Sequence, residues 1–441
     1  MTFKKNFTIY MLFWTSQLVF FLYTLMIAKE LSAEQFGIYS LLFAFLMFGM
    51  RFNEIGIGDY FVINGRKEDL GSVFIINMLK SVILFIFFII FSFIIPVYYR
   101  QDMLFSGLII IAFSLLLDGI KNPYIYYMYQ CNRTNVVVFI EKGSYLLGLL
   151  LGSVIFYFHR SILISLVTFL LYFILQSLMS YYFLPSYHIR FKDINYEYLK
   201  KTLNFAKQVI AFLIITYALR QGIELIVPKL LSFEILGQYS FLAMLTFAPI
   251  NLFVYPLNKI LFPVYAKRSA EIKILTRSTL LVYLILFFVY LFTYYDLKTM
   301  LHYFSYTKYF DNNLLLLLIV YSVIRGVLAN VGIYYKAINK QALYNRIVLV
   351  ELVVLIGALF FLRSNIYEIL YAMIIAISFH FIVAFFMLGL ITIKNVLWTT
   401  LISFCMVVIY ILESHMSFPF RMVINIPASV VCFFFMIKCT K

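Results

Sequence analysis

Long apolar segments follow one another along almost the whole chain, and they constrain its fold more than any other feature. Apolar residues make up 64% of the 441 residues and charged residues only 12%, whereas a soluble domain carries about 25% charged residues. A helix that crosses a bilayer needs about 20 mostly apolar residues in succession. This composition excludes a soluble enzyme, a nucleic-acid-binding protein and a disordered protein.

The apolar segments predict an all-α polytopic membrane protein with about fourteen transmembrane helices. Lys4 and Lys5 precede the first segment, as in a signal peptide. Its apolar run is longer than a typical signal core of roughly 7–15 residues, so we expect it to remain in the mature protein. The predicted spans are 8–28, 37–63, 72–97, 104–130, 136–158, 162–184, 206–228, 237–263, 278–295, 314–335, 347–362, 367–392, 395–412 and 422–437.

The distribution of basic residues predicts the orientation in the membrane. With alternating spans, the side that holds the N-terminus carries 20 of the 35 Lys and Arg residues, and the other side carries 8. Short cytoplasmic loops are enriched in Lys and Arg. We therefore expect a multi-pass protein of the bacterial cytoplasmic (inner) membrane with both termini in the cytoplasm, and basic loops that contact the lipid bilayer.

The loops and cysteines indicate no catalytic or metal-binding function. The longest connections, 185–206 and 296–313, are too short for a catalytic domain. The sequence has no G-x-x-x-x-G-K-[ST] phosphate loop and no H-E-x-x-H motif. Its four cysteines have no metal-ligand spacing. We expect no enzyme activity, no cofactor and no metal.

One segment of the chain recurs 200 residues later. Leu31–Leu42 aligns without gaps on Leu231–Leu242, and seven of twelve positions are identical. Six predicted spans separate the copies, which indicates parallel repeats related by a pseudo-two-fold axis along the membrane normal. The alternative is that L-S-x-E-x-x-G is only a recurring helix start, with Ser or Glu as the cap.

The repeat predicts how the chain is divided. Each copy opens the second span of a six-helix bundle, so the two bundles share one orientation. The basic segment between them is interpreted as an amphipathic cytoplasmic linker. The predicted parts are an N-terminal six-helix bundle (1–184), the linker (185–205), a C-terminal six-helix bundle (206–393) and two additional C-terminal helices (394–441).

A family resemblance lies in four places in the sequence. They are the two copies of the repeat, Gly56-Ile57-Gly58 at the end of span two, and Pro249 with Leu261–Tyr265 in span eight. They resemble bacterial polysaccharide (Wzx-type O-antigen) flippases of the multidrug/oligosaccharidyl-lipid/polysaccharide (MOP) exporter superfamily. The resemblance implies two six-helix bundles around a central cavity. It also implies movement of a lipid-linked oligosaccharide, carried on undecaprenyl pyrophosphate, from the inner to the outer leaflet. Many relatives have twelve spans, so the last two predicted helices have no role assigned by the resemblance.

Basic residues inside the predicted spans are candidates for substrate binding, because a charge at membrane depth costs at least about 2.5–3.5 kcal/mol. Arg51, Arg220 and Arg325 lie nearest the middle of their spans, and Lys80 and Lys121 lie in the cytoplasmic halves of theirs. The guanidinium group binds phosphate oxygens through paired donors and does not deprotonate. The three arginines are predicted to contact a pyrophosphate headgroup, and the two lysines to form its cytoplasmic entrance.

Some of these charges have neighbours that would neutralise them. Arg51 with Glu54 and Asp118 with Lys121 are i,i+3 pairs, and Arg220 with Glu224 is an i,i+4 pair. Structural pairing therefore stays open as an alternative for these residues, whereas Arg325 has no partner within one turn.

Carboxylates at membrane depth can couple transport to an ion gradient by changing their charge. Glu54, Asp118 and Glu224 are the candidates for coupling to H⁺ or Na⁺, because each lies within a turn of a basic residue. Glu351 and His380 also lie inside spans and are interpreted as structural.

Two further functions compete with a flippase. A polysaccharide polymerase or ligase would act on the same substrate, but needs larger extracytoplasmic loops. A multidrug exporter would have an acidic or apolar cavity. The expected partners of a flippase are the lipid-linked oligosaccharide, a coupling ion and polysaccharide polymerase or assembly proteins, with no nucleic acid.

Overall fold

A computed structural model describes residues 3–53, 55–131, 133–183, 194–267, 274–286, 289–290, 306–338 and 340–388. These residues are almost entirely helical. The α-helices are α1 (Phe3–Glu30), α2 (Ala33–Asn53), α3 (Ile57–Asn64), α4 (Leu70–Tyr99), α5 (Met103–Gln130), α6 (Thr134–His159), α7 (Ile162–Phe183), α8 (Tyr196–Leu230), α9 (Phe233–Pro249), α10 (Tyr255–Lys267), α11 (Ile274–Leu286), α12 (Asn312–Ala337), α13 (Gln341–Phe361) and α14 (Ile366–Met387).

The described helices confirm a polytopic all-α membrane fold. Nine spans within the described residues are long and apolar enough to cross a membrane, and bent α8 makes a tenth when its two parts are counted together. The predicted spans 395–412 and 422–437 lie outside the described residues, as does Glu54. Below, the face of the molecule where α1 begins is called the near face, and the face where α1 ends is called the far face.

The predicted second span consists of two helices, α2 and α3, and not of one continuous helix. Between them Gly56 adopts a left-handed conformation with φ of 79°, which costs a residue with a side chain more than it costs glycine. A Cβ atom at Gly56 would also lie 2.9 Å from the Phe205 ring of α8. The break ends α2 just beyond Arg51, so Arg51 lies in the last turn of a helix.

The predicted eighth span is interrupted at the corresponding place. α9 ends at Pro249, Ile250–Val254 form a π-helical segment, and α10 continues the span. Proline lacks the N–H that would bond to the carbonyl four residues earlier, and its ring crowds that carbonyl. The wider π turn accommodates this defect, and such turns often lie at functional sites.

α8 begins within the segment predicted as a linker. Asn195 caps the helix by accepting a hydrogen bond from the Tyr198 N–H at 3.1 Å. Tyr196–Lys207 and Phe212–Leu230 are bent by 42° relative to each other. Within the described part of the predicted linker, residues 196–205 are therefore helical and lead directly into the seventh span.

Apart from α2, α8 and α9, the helices of each repeat pack mainly within their own half. In the N-terminal half α4 packs on α5, α6 on α7, and α5 on α7; in the C-terminal half α12 and α13 pack on α14, and α9 packs on α12. The main seam between the halves is formed by α2 and α9, which are the second helices of the two repeats. α8 also contacts α2, α3 and α4.

The glycine of each repeat lies where α2 and α9 cross. A Cβ atom on Gly37 would lie 1.9 Å from the carbonyl oxygen of Phe233, and one on Gly237 would lie 1.9 Å from that of Ala33. Neither position accepts a side chain without separating the two helices. The repeat is therefore more than a recurring helix start, because its two copies pack against each other.

Further contacts close the far face beside this crossing. Lys308 donates to the carbonyl oxygen of Lys29 at 3.1 Å, and the Tyr309 hydroxyl donates to that of Ala28 at 2.8 Å. These bonds attach the segment before α12 to the end of α1. The two halves are thus joined at the far face by backbone contact and by hydrogen bonds.

A central cavity between the two halves

A cavity of about 270 Å³ lies between the two halves, beneath the far-face closure. α1 and α2 line it from the N-terminal half, and α8, α9, the π-helical segment and α12 line it from the C-terminal half. The lining residues are Gln17, Phe20, Phe21, Thr24, Phe36, Tyr39, Ser40, Phe43, Arg220, Gln221, Glu224, Ser240, Ala243, Met244, Phe247, Ala248, Asn251, Leu252 and Arg325.

Arg220 projects into this cavity from α8. It is ten residues from the end of the helix at Leu230, about 15 Å along the helix axis. The side chain is exposed, and it is among the residues that line the cavity. Arg325 and Arg51 lie close enough to Arg220 to repel its charge.

Arg325 enters the same cavity from α12. Its guanidinium group lies 4.9 Å from the centre of the Phe247 ring and donates a long hydrogen bond of 3.5 Å to the Tyr321 hydroxyl. It forms no ion pair with any described carboxylate. An aromatic ring orients a guanidinium group without neutralising it, so Arg325 keeps its charge available for an anion.

Glu224 is the acidic residue of the described cavity lining. It lies one turn beyond Arg220, but the two side chains form no ion pair, although the structure describes both. Its Oε2 atom is buried and has no hydrogen-bond partner among the described residues. Arg325 attracts it through the cavity. The pairing of Arg220 with Glu224 that the sequence left open as an alternative is therefore absent here, and two arginines face one carboxylate.

Arg51 and Lys80 lie outside the described cavity lining. Arg51 is exposed in the last turn of α2. Lys80 of α4 donates to the Asn77 side chain at 2.7 Å and to the backbone carbonyl of Asn53. Asn53 is the last residue of α2, and a cation at that end of a helix is favoured by the helix dipole. Lys80 thus stabilises the end of α2, and Arg51 lies beside it.

Lys121 and Asp118 are brought together within the N-terminal half. Their side chains form a buried ion pair at 2.9 Å on α5, and Lys121 also lies 5.7 Å from the centre of the Phe173 ring of α7. Neither residue is among those that line the cavity. This placement favours a structural role for both residues over headgroup contact or ion coupling.

We expect Lys121→Met to lower the stability of the protein by about 3–5 kcal/mol, because it leaves the Asp118 carboxylate buried without its partner. The double variant Asp118→Leu/Lys121→Met should recover most of this loss. Thermal unfolding of the purified protein in detergent measures both.

Lys201→Met is the matched control, since its partner Glu197 and Lys201 itself are exposed to solvent. Solvent-exposed pairs of this kind contribute little to stability. If Lys121→Met changed the unfolding temperature no more than Lys201→Met, the structural role would be wrong.

Glu351 and His380 form a second buried pair, in the C-terminal half. The Nδ1 atom of His380 on α14 lies 2.5 Å from Oε2 of Glu351 on α13. The two residues are 29 positions apart, so no local spacing in the sequence predicts their contact. Glu351 also attracts Arg325, which links this pair electrostatically to the cavity.

The fold and the cavity define a class of protein. Parallel helical halves with a charged cavity between them are an architecture of secondary transporters, whose substrate site lies at the repeat interface. Residues 26–295 match the profile of the polysaccharide biosynthesis protein family. This match covers more than half of the chain, and the chain belongs to that family.

Solved structures of the MOP superfamily share the fold. The lipid II flippase MurJ in an inward closed conformation matches with a TM-score of 0.70 and 14% identity over 98% of both chains. A MOP-superfamily transporter from Pyrococcus furiosus matches with a TM-score of 0.61 and 13% identity over 87% of this chain and 94% of that one. An inward-facing multidrug resistance transporter of the MATE family matches with a TM-score of 0.58 and 14% identity, over 88% and 94%.

Curated proteins gave no match to this sequence. The family match confirms the predicted resemblance to a polysaccharide biosynthesis family, and the fold is the one shared by these solved flippase and transporter structures.

Proposed function

We propose that this protein is a flippase that moves an undecaprenyl-pyrophosphate-linked oligosaccharide, such as an O-antigen repeat unit, from the inner to the outer leaflet of the bacterial cytoplasmic membrane. The observation that carries this proposal is the pair Arg220 and Arg325, which face a shared cavity between the halves without an ion-pair partner among the described residues. Uncompensated charges at membrane depth are costly and are typical of substrate paths.

The charge of the substrate explains the arginines. A pyrophosphate is the part of a lipid-linked sugar that the bilayer core excludes most strongly, whereas the polyprenyl chain is soluble there. Two guanidinium groups in one cavity supply donors for its oxygens. The lipid would remain in the bilayer while the headgroup crosses between the halves. Membership of the polysaccharide biosynthesis family supports a glycan-bearing substrate.

The orientation and the energy source follow from charge as well. The excess of basic residues supports a cytoplasmic near face, and the fourteen predicted spans would put both termini in the cytoplasm. The far-face closure then separates the cavity from the outside, and alternating access requires it to open. Glu224 is the proposed coupling residue, because protonation or Na⁺ binding there would change the charge around Arg325.

A multidrug exporter fits this cavity less well. Organic cations require an acidic or apolar site, whereas the described lining carries two arginines and one carboxylate. A polymerase or ligase shares the substrate but would act on it after translocation. In cells that lack this protein, repeat units that accumulate on the outer leaflet would favour the enzyme, and repeat units held on the inner leaflet support a flippase.

Purified protein in liposomes tests the proposal directly. The substrate is a fluorescent oligosaccharide on polyprenyl pyrophosphate, and the control is the same oligosaccharide on a neutral polyprenyl lipid. We expect the pyrophosphate lipid to cross at least about tenfold faster, corresponding to about 1.4 kcal/mol of preference. Chemical quenching of the fluorophore in the outer leaflet measures the rate, with and without imposed proton or sodium gradients. Equal rates for the two lipids would contradict the proposal.

A further inference from the structure

The two halves present the same helix positions to the cavity. At the offset of 200 residues that relates Leu31–Leu42 to Leu231–Leu242, α1 aligns with α8 and α2 with α9. Five such pairs have both members in the cavity lining, and this agreement in register indicates a pseudo-symmetric cavity. The pairs are Phe20 with Arg220, Phe21 with Gln221, Thr24 with Glu224, Ser40 with Ser240, and Phe43 with Ala243.

The chemistry of the two halves differs at these matched positions. All charged residues of the described lining come from the C-terminal half. Where that half carries Arg220 and Glu224, the N-terminal half carries Phe20 and Thr24. The C-terminal half therefore forms a charged side of the cavity and the N-terminal half forms an uncharged side. The two sides meet at the seam between α2 and α9.

Aromatic rings form the uncharged side. The ring centres of Phe20 and Phe43 are 6.0 Å apart at an angle of 27°, and those of Tyr39 and Phe43 are 6.1 Å apart at 25°. Phe20, Tyr39 and Phe43, here called the aromatic wall, thus form a continuous cluster of rings along one side of the cavity. Such side chains supply apolar surface, with a polar atom only at the tyrosine hydroxyl.

Two hydroxyl groups of the cavity lining have no hydrogen-bond partner among the described residues. The Tyr39 side chain is only 3% exposed, and its hydroxyl has no hydrogen-bond partner among the described residues. The Ser240 hydroxyl, which lines the cavity from the opposite half, also lacks a hydrogen-bond partner in the described part of the chain. A buried hydroxyl without a partner is unfavourable and normally marks a place where a ligand or an ordered water completes the bond.

We propose that the aromatic wall is a carbohydrate subsite, which binds the sugar next to the pyrophosphate while Arg220 and Arg325 hold the phosphates. A pyranose has one apolar face, which would stack on the rings, and equatorial hydroxyls, which would bond to Tyr39 and Ser240. This inference rests on the proposed function, since it assigns the two parts of one substrate to the two halves. A substrate bound in this way bridges the seam between α2 and α9.

The transport of two lipids in liposomes tests this inference independently of the proposed function. One lipid is polyprenyl pyrophosphate with a single attached sugar, and the other is polyprenyl pyrophosphate with no sugar. We expect Tyr39→Phe, which removes only the hydroxyl, to slow transport of the sugar-bearing lipid by about threefold to tenfold. Transport of the sugar-free lipid should remain unchanged. Phe43→Leu should show the same selectivity, since it removes a stacking surface.

Tyr198→Phe is the matched control, because Tyr198 is a buried tyrosine that lies outside the cavity lining. It should transport both lipids as the unaltered protein does. If Tyr39→Phe and Phe43→Leu slowed both lipids equally, or slowed neither, the carbohydrate subsite would be wrong while the proposed function stood. If the unaltered protein moved neither lipid, the proposed function itself would fail.

Discussion

Cells whose only copy of this protein carries Arg325→Ala are expected to lose surface polysaccharide while the protein remains in the membrane. Arg325 faces the cavity with its charge unpaired among the described residues and is held by the Phe247 ring and the Tyr321 hydroxyl. In the proposed complex Arg325 pairs with a phosphate of the substrate, and removing one partner of a buried charge pair costs about 2–5 kcal/mol. A loss of about 3 kcal/mol in binding the pyrophosphate corresponds to a rate roughly 100-fold lower at limiting substrate.

Arg325→Lys should recover only a small part of this activity. Lysine keeps the charge but lacks the planar fork that binds two phosphate oxygens and stacks on Phe247. Arg363→Ala provides the control, since Arg363 also lies against an aromatic ring, Phe360, but outside the cavity lining. Immunoblotting of membranes and quantification of surface polysaccharide give the two readouts. Normal polysaccharide in the Arg325→Ala strain would remove Arg325 from the substrate path.

Gly237→Ala is expected to abolish transport through a different step, the closure of the far face. The added methyl group would lie 1.9 Å from the carbonyl oxygen of Ala33, and backbone atoms cannot move away as a flexible side chain can. α2 and α9 would have to separate, and the cavity would stay open toward the far face. Gly37→Ala should act in the same way, because its methyl group would meet the carbonyl oxygen of Phe233.

The accessibility of a cysteine placed in the cavity measures whether the far face has opened. Ser40→Cys lines the cavity, and in a background with the four native cysteines replaced by serine it can be labelled with a membrane-impermeant maleimide. We expect labelling from outside the cell to rise when Gly237→Ala is added. Gly357→Ala is the control, since a Cβ atom there has no neighbour within 4 Å. Unchanged labelling and transport in the Gly237→Ala protein would show that the crossing does not form the closure.

The sequence predicted the broad architecture because the requirements for insertion into a bilayer can be read from local composition. Apolar segments of about 20 residues must be helices, since the bilayer core offers no other partner for the backbone. The recurrence of Leu31–Leu42 at Leu231–Leu242 likewise predicted two related halves, and Gly37 and Gly237 meet at their seam. Depth along a span singled out Arg51, Arg220 and Arg325, of which Arg220 and Arg325 are in the described cavity lining.

The sequence could not show where a predicted span breaks. Gly56 and Pro249 are visible in the sequence, but glycine and proline also occur in unbroken spans. The structure shows that one break ends α2 beside Arg51, and that the other places Asn251 against the cavity.

What the amino-acid sequence alone determined is which segments enter the membrane and which charges enter with them, because both depend on local chemistry. What only the tertiary structure decided is the direction in which each charge points. Asp118 and Lys121 turn toward each other, Arg220 and Glu224 turn toward the cavity, and Glu351 meets His380 from another helix. The rotation of a helix about its axis is set by the packing of its neighbours, and that packing joins residues far apart in the chain.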